Sequence, residues 1–409
     1  MKTTLTHKLG AIAAASLLAL GLATSAQAQS KISGDTIKIG IITDIGGLYS
    51  DIGGNGSVEA IRLAIADAGG NIGGKKIELL FADHQNKADV ASSKAREWFD
   101  TQGVDMLIGG TNSATALAMA KVAEEKKKIF IPIGAGSARL TNEACSPYTI
   151  HYAYDTVAMA KGTGATMVKT VGKNWYFLTA DYAFGQSLQD DTATVVKGNG
   201  GTVVGSVKHP LSASDFSSFL LQAQNSKAQV LGLANAGGDL INSIKAANEF
   251  GITKTMKMAA LLMFINDIHA LGLKNTEGLY LTDAWYWNQS PESREWARRF
   301  FEKVKRMPSM VQAGDYSATA FYLKGVKATG TDDADTVMKW LKSNKINDMF
   351  AKGGYVREDG RMIHDMYLMQ VKSQADSKEP WDYMKLVSTI PGEQAFTTRA
   401  ESRCSLMKK

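Results

Sequence analysis

Twice along the chain, short apolar runs alternate with amphipathic stretches, and this rhythm restricts the fold more than any other feature. The first run, from Ile37 to Thr43, reads IKIGIIT. Such continuous apolar content suits a strand buried on both faces. A helix capped by Ser57 is expected next, with Val58, Ile61, Ile65 and Ala68 on one face. Gly69 and Gly70 end it, because glycine tolerates the left-handed conformation of a helix stop. Further strands are expected at 77–82, 106–109 and 129–133, with helices at 89–100 and 113–126. After Tyr148 the rhythm restarts: helices at 159–171, 184–197 and 240–250, strands at 175–179, 202–207, 229–234, 256–261 and 278–282. Alternation of this kind predicts parallel sheets covered on both faces. The fold class is therefore α/β, with two doubly wound lobes. No short exact repeat is present, which disfavours solenoids and propellers. Longer helices are expected at 292–305, 316–328 and 335–344, and the polar stretch from Ser373, with Pro380 and Pro391, reads as a surface extension.

Residues 1–28 read as an export signal. Lys2 and Lys8 precede an apolar run from Ala11 to Ala23, and Ser25-Ala26-Gln27-Ala28 places small residues for cleavage after Ala28. The run falls short of the roughly 20 residues a membrane anchor needs. Cleavage leaves 381 residues, more than one ordinary core, and removes two lysines and no acid, so the net charge falls from +6 to +4. No basic cluster alternates with aromatics, so nucleic acid is not expected as a partner. Cys145 and Cys404 are the only cysteines, and in an oxidising compartment they would most economically form one disulfide; two unpaired thiols are the alternative.

Catalytic apparatus is not apparent. The six histidines, at 7, 84, 151, 209, 269 and 364, have no metal-ligand spacing, and HExxH and CxxC patterns are absent. The segment Gly134-Ala135-Gly136-Ser137-Ala138 comes nearest to a hydrolase elbow but lacks its final glycine. Gly46-Gly47 and Gly53-Gly54 with Gly56 do not make a dinucleotide loop. No enzyme activity, metal or cofactor is expected.

Several blocks carry a resemblance. IKIGIITDIGG, SVEAIRLAIADAGGNIGGKKIELLFAD, IGGTNSATALAMAKVAEEKKKIFIPIGAGSARLT and TADYAFGQSL look like the branched-chain amino acid-binding family, the type 1 periplasmic binding proteins of ABC importers. DHQNKADVA, SARLTNEACSP, MVQAGDYSATAFYLKGV and DGRMIHDMYLMQVK look most like its aromatic-acid branch. The resemblance implies two lobes joined by three hinge crossovers, near 148–151, 282–284 and 364–366, with a ligand cleft between them. Lobe 1 would comprise 31–148 plus 284–364, lobe 2 149–283 plus 365–372, and 373–409 a C-terminal extension. It further implies a monomer that binds a small organic anion and delivers it to a membrane ABC permease. A sensory receptor feeding a membrane signalling partner is the rival from another class.

The cleft chemistry follows from strand ends and helix starts. Gly110-Thr111-Asn112-Ser113 opens a helix, where free N–H groups and the Ser113 hydroxyl suit a carboxylate. Ser113 matches the serine that holds the ligand carboxylate in the family. Ala135, Gly136 and Ser137 match its second carboxylate-binding segment, although Gly136 stands where the family has a threonine. On the opposite lobe the family's amino-acid binders carry a glutamate for the ligand ammonium. Here the region reads Ala259-Ala260-Leu261-Leu262-Met263-Phe264, so Leu262 and Met263 would offer an apolar wall. A buried ammonium without a partner costs roughly 3–5 kcal/mol, so an acid lacking an α-amino group is expected. Asp51, Asp181, Asp239 and Asp283 are the carboxylates that could fill the gap. Tyr49, Tyr182, Phe184, Trp285, Tyr286 and Trp287 crowd the expected rim, Phe184 where the family often has a tyrosine, and Asn235 completes the candidate set. A flat aromatic acid fits this set best, with branched aliphatic acids and hydrophobic amino acids as alternatives.

Overall fold

The computed structural model describes residues 32–407. The export signal and its cleavage position lie outside the described residues. Strands β1 (Thr36–Thr43), β2 (Asn71–Ile72), β3 (Lys75–Asp83), β4 (Met106–Ile108) and β5 (Ile129–Ile131) form one sheet in the order β2-β3-β1-β4-β5. All its pairings are parallel except the short β2–β3 contact. β1 runs in register with β3 from Thr36 opposite Lys76 to Thr43 opposite Asp83. Its inner position explains its composition: Ile37, Ile39, Ile41 and Ile42 are fully buried.

A second sheet repeats the plan. β6 (Asn174–Ala180), β7 (Thr202–His209), β8 (Val230–Ala234) and β9 (Lys257–Ala260) are all parallel, in the order β7-β6-β8-β9. The two doubly wound sheets match the α/β class read from the sequence. Three differences concern the remainder of the chain. β10 (Tyr280–Asp283) does not pair with the parallel strands. After a small meander of β11 (Ile346–Asn347), β12 (Lys352–Val356) and β13 (Met362–Ile363) come β14 (Met366–Val371) and β15 (Met384–Ile390). β14 pairs antiparallel with both β10 and β15. Residues after Ser373, read above as a surface extension, thus supply a sheet strand, and Trp381 and Phe396 from the same stretch are buried.

Helix limits shift where capping decides them. The first helix is Gly54–Asp67, starting before the expected Ser57 cap, with Gly53 at its N-cap. The helix Met310–Thr329 begins well ahead of the predicted 316 because Ser309 and Gln312 form a capping box: Ser309 Oγ accepts from the Val311 and Gln312 N–H groups, and Gln312 Oε1 accepts from Ser309 N–H at 2.9 Å. This helix packs along Gly54–Asp67.

Cys145 and Cys404 are joined, with Cα atoms 5.7 Å apart and a sequence separation of 259. Replacing both by serine should lower unfolding free energy by about 2–4 kcal/mol, read by urea denaturation; an unchanged midpoint would show that the bridge contributes nothing.

Asp315, on Met310–Thr329, is completely buried. Burial pushes its carboxyl up to about 8, and the Ser57 hydroxyl only partly offsets this. The folded pKa is therefore above the unfolded one, roughly 3.9. The neutral acid is harmless at low pH, and its contribution is lost as pH rises through the folded pKa. Asp315→Asn should gain melting temperature relative to wild type between pH 5 and 9, in a pH series of thermal melts, whereas a pH-independent difference would contradict the assignment.

Candidate functional site

The loops at the carboxyl ends of six parallel strands converge on one small cavity. After β1 the chain contributes Tyr49 and Ile52, after β4 Thr111, and after β5 Gly134. From the second sheet come Tyr182 and Phe184 after β6, Ala236 after β8, and Leu262 and Phe264 after β9; Tyr154 completes the lining. Strand ends are where open α/β sheets bind ligands, because backbone groups and helix N-termini face outward there. The residues close on one another and leave about 10 Å³ that the centre of a water molecule can reach.

No aspartate, glutamate, lysine or arginine lines the cavity. Its polar groups are hydroxyls: Tyr49, Thr111, Tyr154 and Tyr182. Burial pushes the phenols of Tyr49, Tyr154 and Tyr182 up, so all three stay neutral and can donate. Tyr154 donates to the Gly134 carbonyl at 2.6 Å. Tyr49 and Tyr182, from opposite sheets, share a hydrogen bond of 2.6 Å. Two more bonds join loops after first-sheet strands to the helices Ala183–Gly198 and Gly237–Glu249 that follow second-sheet strands: Ser137 Oγ to Ser187 Oγ at 2.7 Å, and Gly238 N–H to the Leu48 carbonyl at 3.3 Å.

The model of the periplasmic binding protein family matches residues 36–377. The chain belongs to the periplasmic binding protein family. A periplasmic binding protein from Burkholderia mallei is 67% identical and superimposes with a TM-score of 0.91, covering 91% of this chain and all (100%) of that one. A branched-chain amino acid ABC transporter periplasmic ligand-binding protein from Burkholderia xenovorans LB400 is 38% identical, with a TM-score of 0.81 and coverage of 91% and 100%. A Rhodopseudomonas palustris BisB5 solute-binding protein of an ABC transporter, solved with 3,4-dihydroxybenzoic acid, shares the fold at 22% identity, TM-score 0.78, over 88% of this chain and 98% of its own.

Within this binding protein, the predicted residues fall into three groups. Tyr49, Thr111, Tyr182, Phe184 and Leu262 line the cavity together. Behind them lies a supporting layer. Asn112, not Ser113, caps the helix Ser113–Lys126, its Oδ1 accepting from Ala114 N–H at 2.8 Å and Thr115 N–H at 3.2 Å. Ser113 Oγ accepts from Ser137 N–H at 3.0 Å and so fixes the segment containing Ala135 and Gly136. A Cβ on Gly136 would stand 2.9 Å from both the Phe184 and Tyr154 rings, so the two rings occupy the space a side chain at 136 would need. Ser137 caps the turn Ala138–Thr141 besides meeting Ser187.

The third group is engaged elsewhere. Trp285 donates to Ser293 Oγ and the Met349 carbonyl, both at 3.0 Å, and Tyr286 donates to the Trp381 carbonyl at 3.0 Å. An indole buried beside the crossovers must satisfy its N–H, and these partners draw it away from the cleft. Asn235 bonds His209 and Ser243, and Met263 is buried but outside the lining. Asp51 pairs with Arg306 and Asp181 with Lys208 at 3.0 Å, both at the surface. Asp283 accepts from Trp285 N–H at 3.3 Å, and Asp239 accepts from Ser212 N–H at 3.1 Å. None of the four carboxylates lines the cavity.

Ile52 and Tyr154 were not legible as site residues. Tyr154 belongs to a crossover held by Arg361, whose guanidinium is fully buried. Arg361 donates to the Tyr154 carbonyl and the Met362 carbonyl at 3.0 Å each, donates to the Tyr152 carbonyl, and lies 3.7 Å from Asp155. Arg361→Met would leave these acceptors and the Asp155 charge unpaired. A loss of about 3–5 kcal/mol in urea denaturation is expected, and a loss below about 1 kcal/mol would show that the contacts are replaceable.

Proposed function

We propose that this ABC-transporter-type binding protein is an exported, non-catalytic receptor that captures a small aromatic carboxylate and presents it to a membrane permease. The observation that carries the reading is the lining itself: four neutral hydroxyls, aromatic rings, and no carboxylate. An α-ammonium entering this cavity would find no counter-charge, a penalty of roughly 3–5 kcal/mol. A carboxylate would find donors on the first-sheet side, at the Thr111 hydroxyl and the backbone near Gly134. A ring would lie against Phe184 and Phe264, the latter already edge-on to Tyr154 at 6.1 Å. That a fold-sharing protein was solved with 3,4-dihydroxybenzoic acid supports this ligand class.

The mechanism is closure of two lobes, one on each parallel sheet, about the three crossovers. A ligand touching both sheets favours the closed form, and a permease can recognise that form. The Tyr49–Tyr182 bond supplies part of the closed state's stability.

Hydrophobic amino acids form a second reading, favoured by the name of the Burkholderia xenovorans relative. Isothermal titration with benzoate, leucine and valine separates the two. Benzoate should bind and the amino acids should not; saturable leucine binding without benzoate binding would overturn the proposal. Thr111→Val should weaken benzoate at least about tenfold, as expected for a lost hydrogen bond to a charged group. Equal affinity would remove Thr111 from the carboxylate site.

A further inference from the structure

Beside the cavity, two glycines of the second sheet's half meet a backbone carbonyl of the first. Ala236, which lines the cavity, is the N-cap of the helix Gly237–Glu249 that follows β8. Gly237 is buried with φ +58°, and Gly238 donates its N–H to the Leu48 carbonyl, in the loop after β1, at 3.3 Å. A Cβ on Gly237 would stand 2.7 Å from that same carbonyl oxygen, 3.0 Å from Tyr49 Cδ1 and 3.4 Å from Ile52 Cδ1. The first of these lies well inside ordinary van der Waals contact. All three atoms belong to the loop after β1, so the space at 237 is taken by the opposite half of the molecule and not by the glycine's own helix.

Both sides of this contact are tied down. The loop that carries Leu48 and Tyr49 folds over the buried Asp44 carboxylate, which accepts from Gly47 N–H at 2.7 Å, Tyr49 N–H at 2.8 Å and Asn86 Nδ2 at 2.6 Å. The Ile52 and Gly53 N–H groups close it further by donating to the Tyr49 carbonyl, at 3.1 and 3.2 Å. On the other side Asn235 bonds His209 and Ser243, and Asp239 accepts from Ser212 N–H at 3.1 Å. A side chain at 237 would therefore meet a fixed carbonyl. The neighbouring position differs. A Cβ on Gly238 would come to 2.9 Å from Leu48 Cδ1, the end of a flexible side chain, and stay 3.9 Å from the carbonyl oxygen.

We propose that Gly237 is a positioning residue for closure: the absence of a side chain there lets the second sheet's half seat against the Leu48 carbonyl. That seating brings Gly238 N–H onto the carbonyl and Tyr49 within 2.6 Å of Tyr182. A side chain at 237 disfavours the closed arrangement alone, so it shifts the balance toward the open one whether or not a ligand is present. The inference rests on the reading of two closing lobes given above, and not on the identity of the ligand.

The test traps closure in the full chain. Ser137→Cys with Ser187→Cys puts one thiol on each half, where the two hydroxyl oxygens stand 2.7 Å apart, so a disulfide between them reports the closed arrangement. Its rate of formation under mild oxidation is read by peptide mapping, with and without benzoate. The bond should form with glycine at 237. Asparagine adopts φ values near +58°, so Gly237→Asn should keep the far-UV circular dichroism spectrum and yet slow trapping at least about fivefold. Gly237→Ala should act in the same direction, and Gly238→Ala should slow trapping much less. No trapping with glycine at 237, trapping at an unchanged rate in both 237 variants, an equal loss in Gly238→Ala, or collapse of the dichroism in both 237 variants would each overturn the proposal. Benzoate should speed trapping in the glycine protein. Trapping that depends on residue 237 but ignores benzoate would uphold the closure role and refute the aromatic-carboxylate reading.

Discussion

A single buried guanidinium holds together the part of the molecule on which everything else pivots. Arg361 donates to carbonyls of Tyr152, Tyr154 and Met362, which belong to different passages of the chain between the two sheets. The backbone bonds His151 N–H to Gly360 carbonyl and Met362 N–H to His151 carbonyl run beside it. Asp155 offsets its charge and caps the helix Thr156–Met159, accepting from Ala158 N–H at 2.9 Å. Arginine suits the place because its five donors lie in one rigid plane and can satisfy several acceptors at once. The Phe396 ring, 4.3 Å from the guanidinium carbon, closes the remaining face. The orientation of Tyr154, and with it one wall of the cleft, is inherited from this cluster.

The cleft itself is polar without being charged. Its polar groups are the hydroxyls of a threonine and three tyrosines, and burial keeps the tyrosine phenols protonated. Neutral hydroxyls leave no unpaired buried charge in the lining. The same groups can bond one another across the gap, as Tyr49 and Tyr182 do. A set of fixed charges could not make that exchange, since like charges would repel and opposite ones would have to be desolvated.

How much was legible follows from how local each signal is. Parallel strands buried on both faces leave unbroken apolar runs, so β1, β6 and β8 are visible in the sequence alone. β15 has one buried residue at its start and a mostly exposed remainder, so nothing distinguishes it from a polar extension until its pairing with β14 is seen. The Ser309–Gln312 box was readable, yet the apolar pattern around it is continuous enough to hide the start. Thr111, Tyr182 and Phe184 could be placed because a strand end fixes its following loop. Trp285 and Tyr286 also follow a strand, β10, but that strand joins an antiparallel sheet and turns them toward Met349 and Trp381. The choice between facing the cleft and facing its back is a long-range matter that spacing does not encode.

The bridge between Cys145 and Cys404 closes a covalent ring that contains every strand of the second parallel sheet and all three passages between the lobes. A link over so long a stretch removes conformations from the unfolded chain, which is where a disulfide exerts most of its effect on stability. It also fastens the C-terminal stretch that supplies β15 to the loop just ahead of Tyr148, so the last residues of the chain are tied back to its first half.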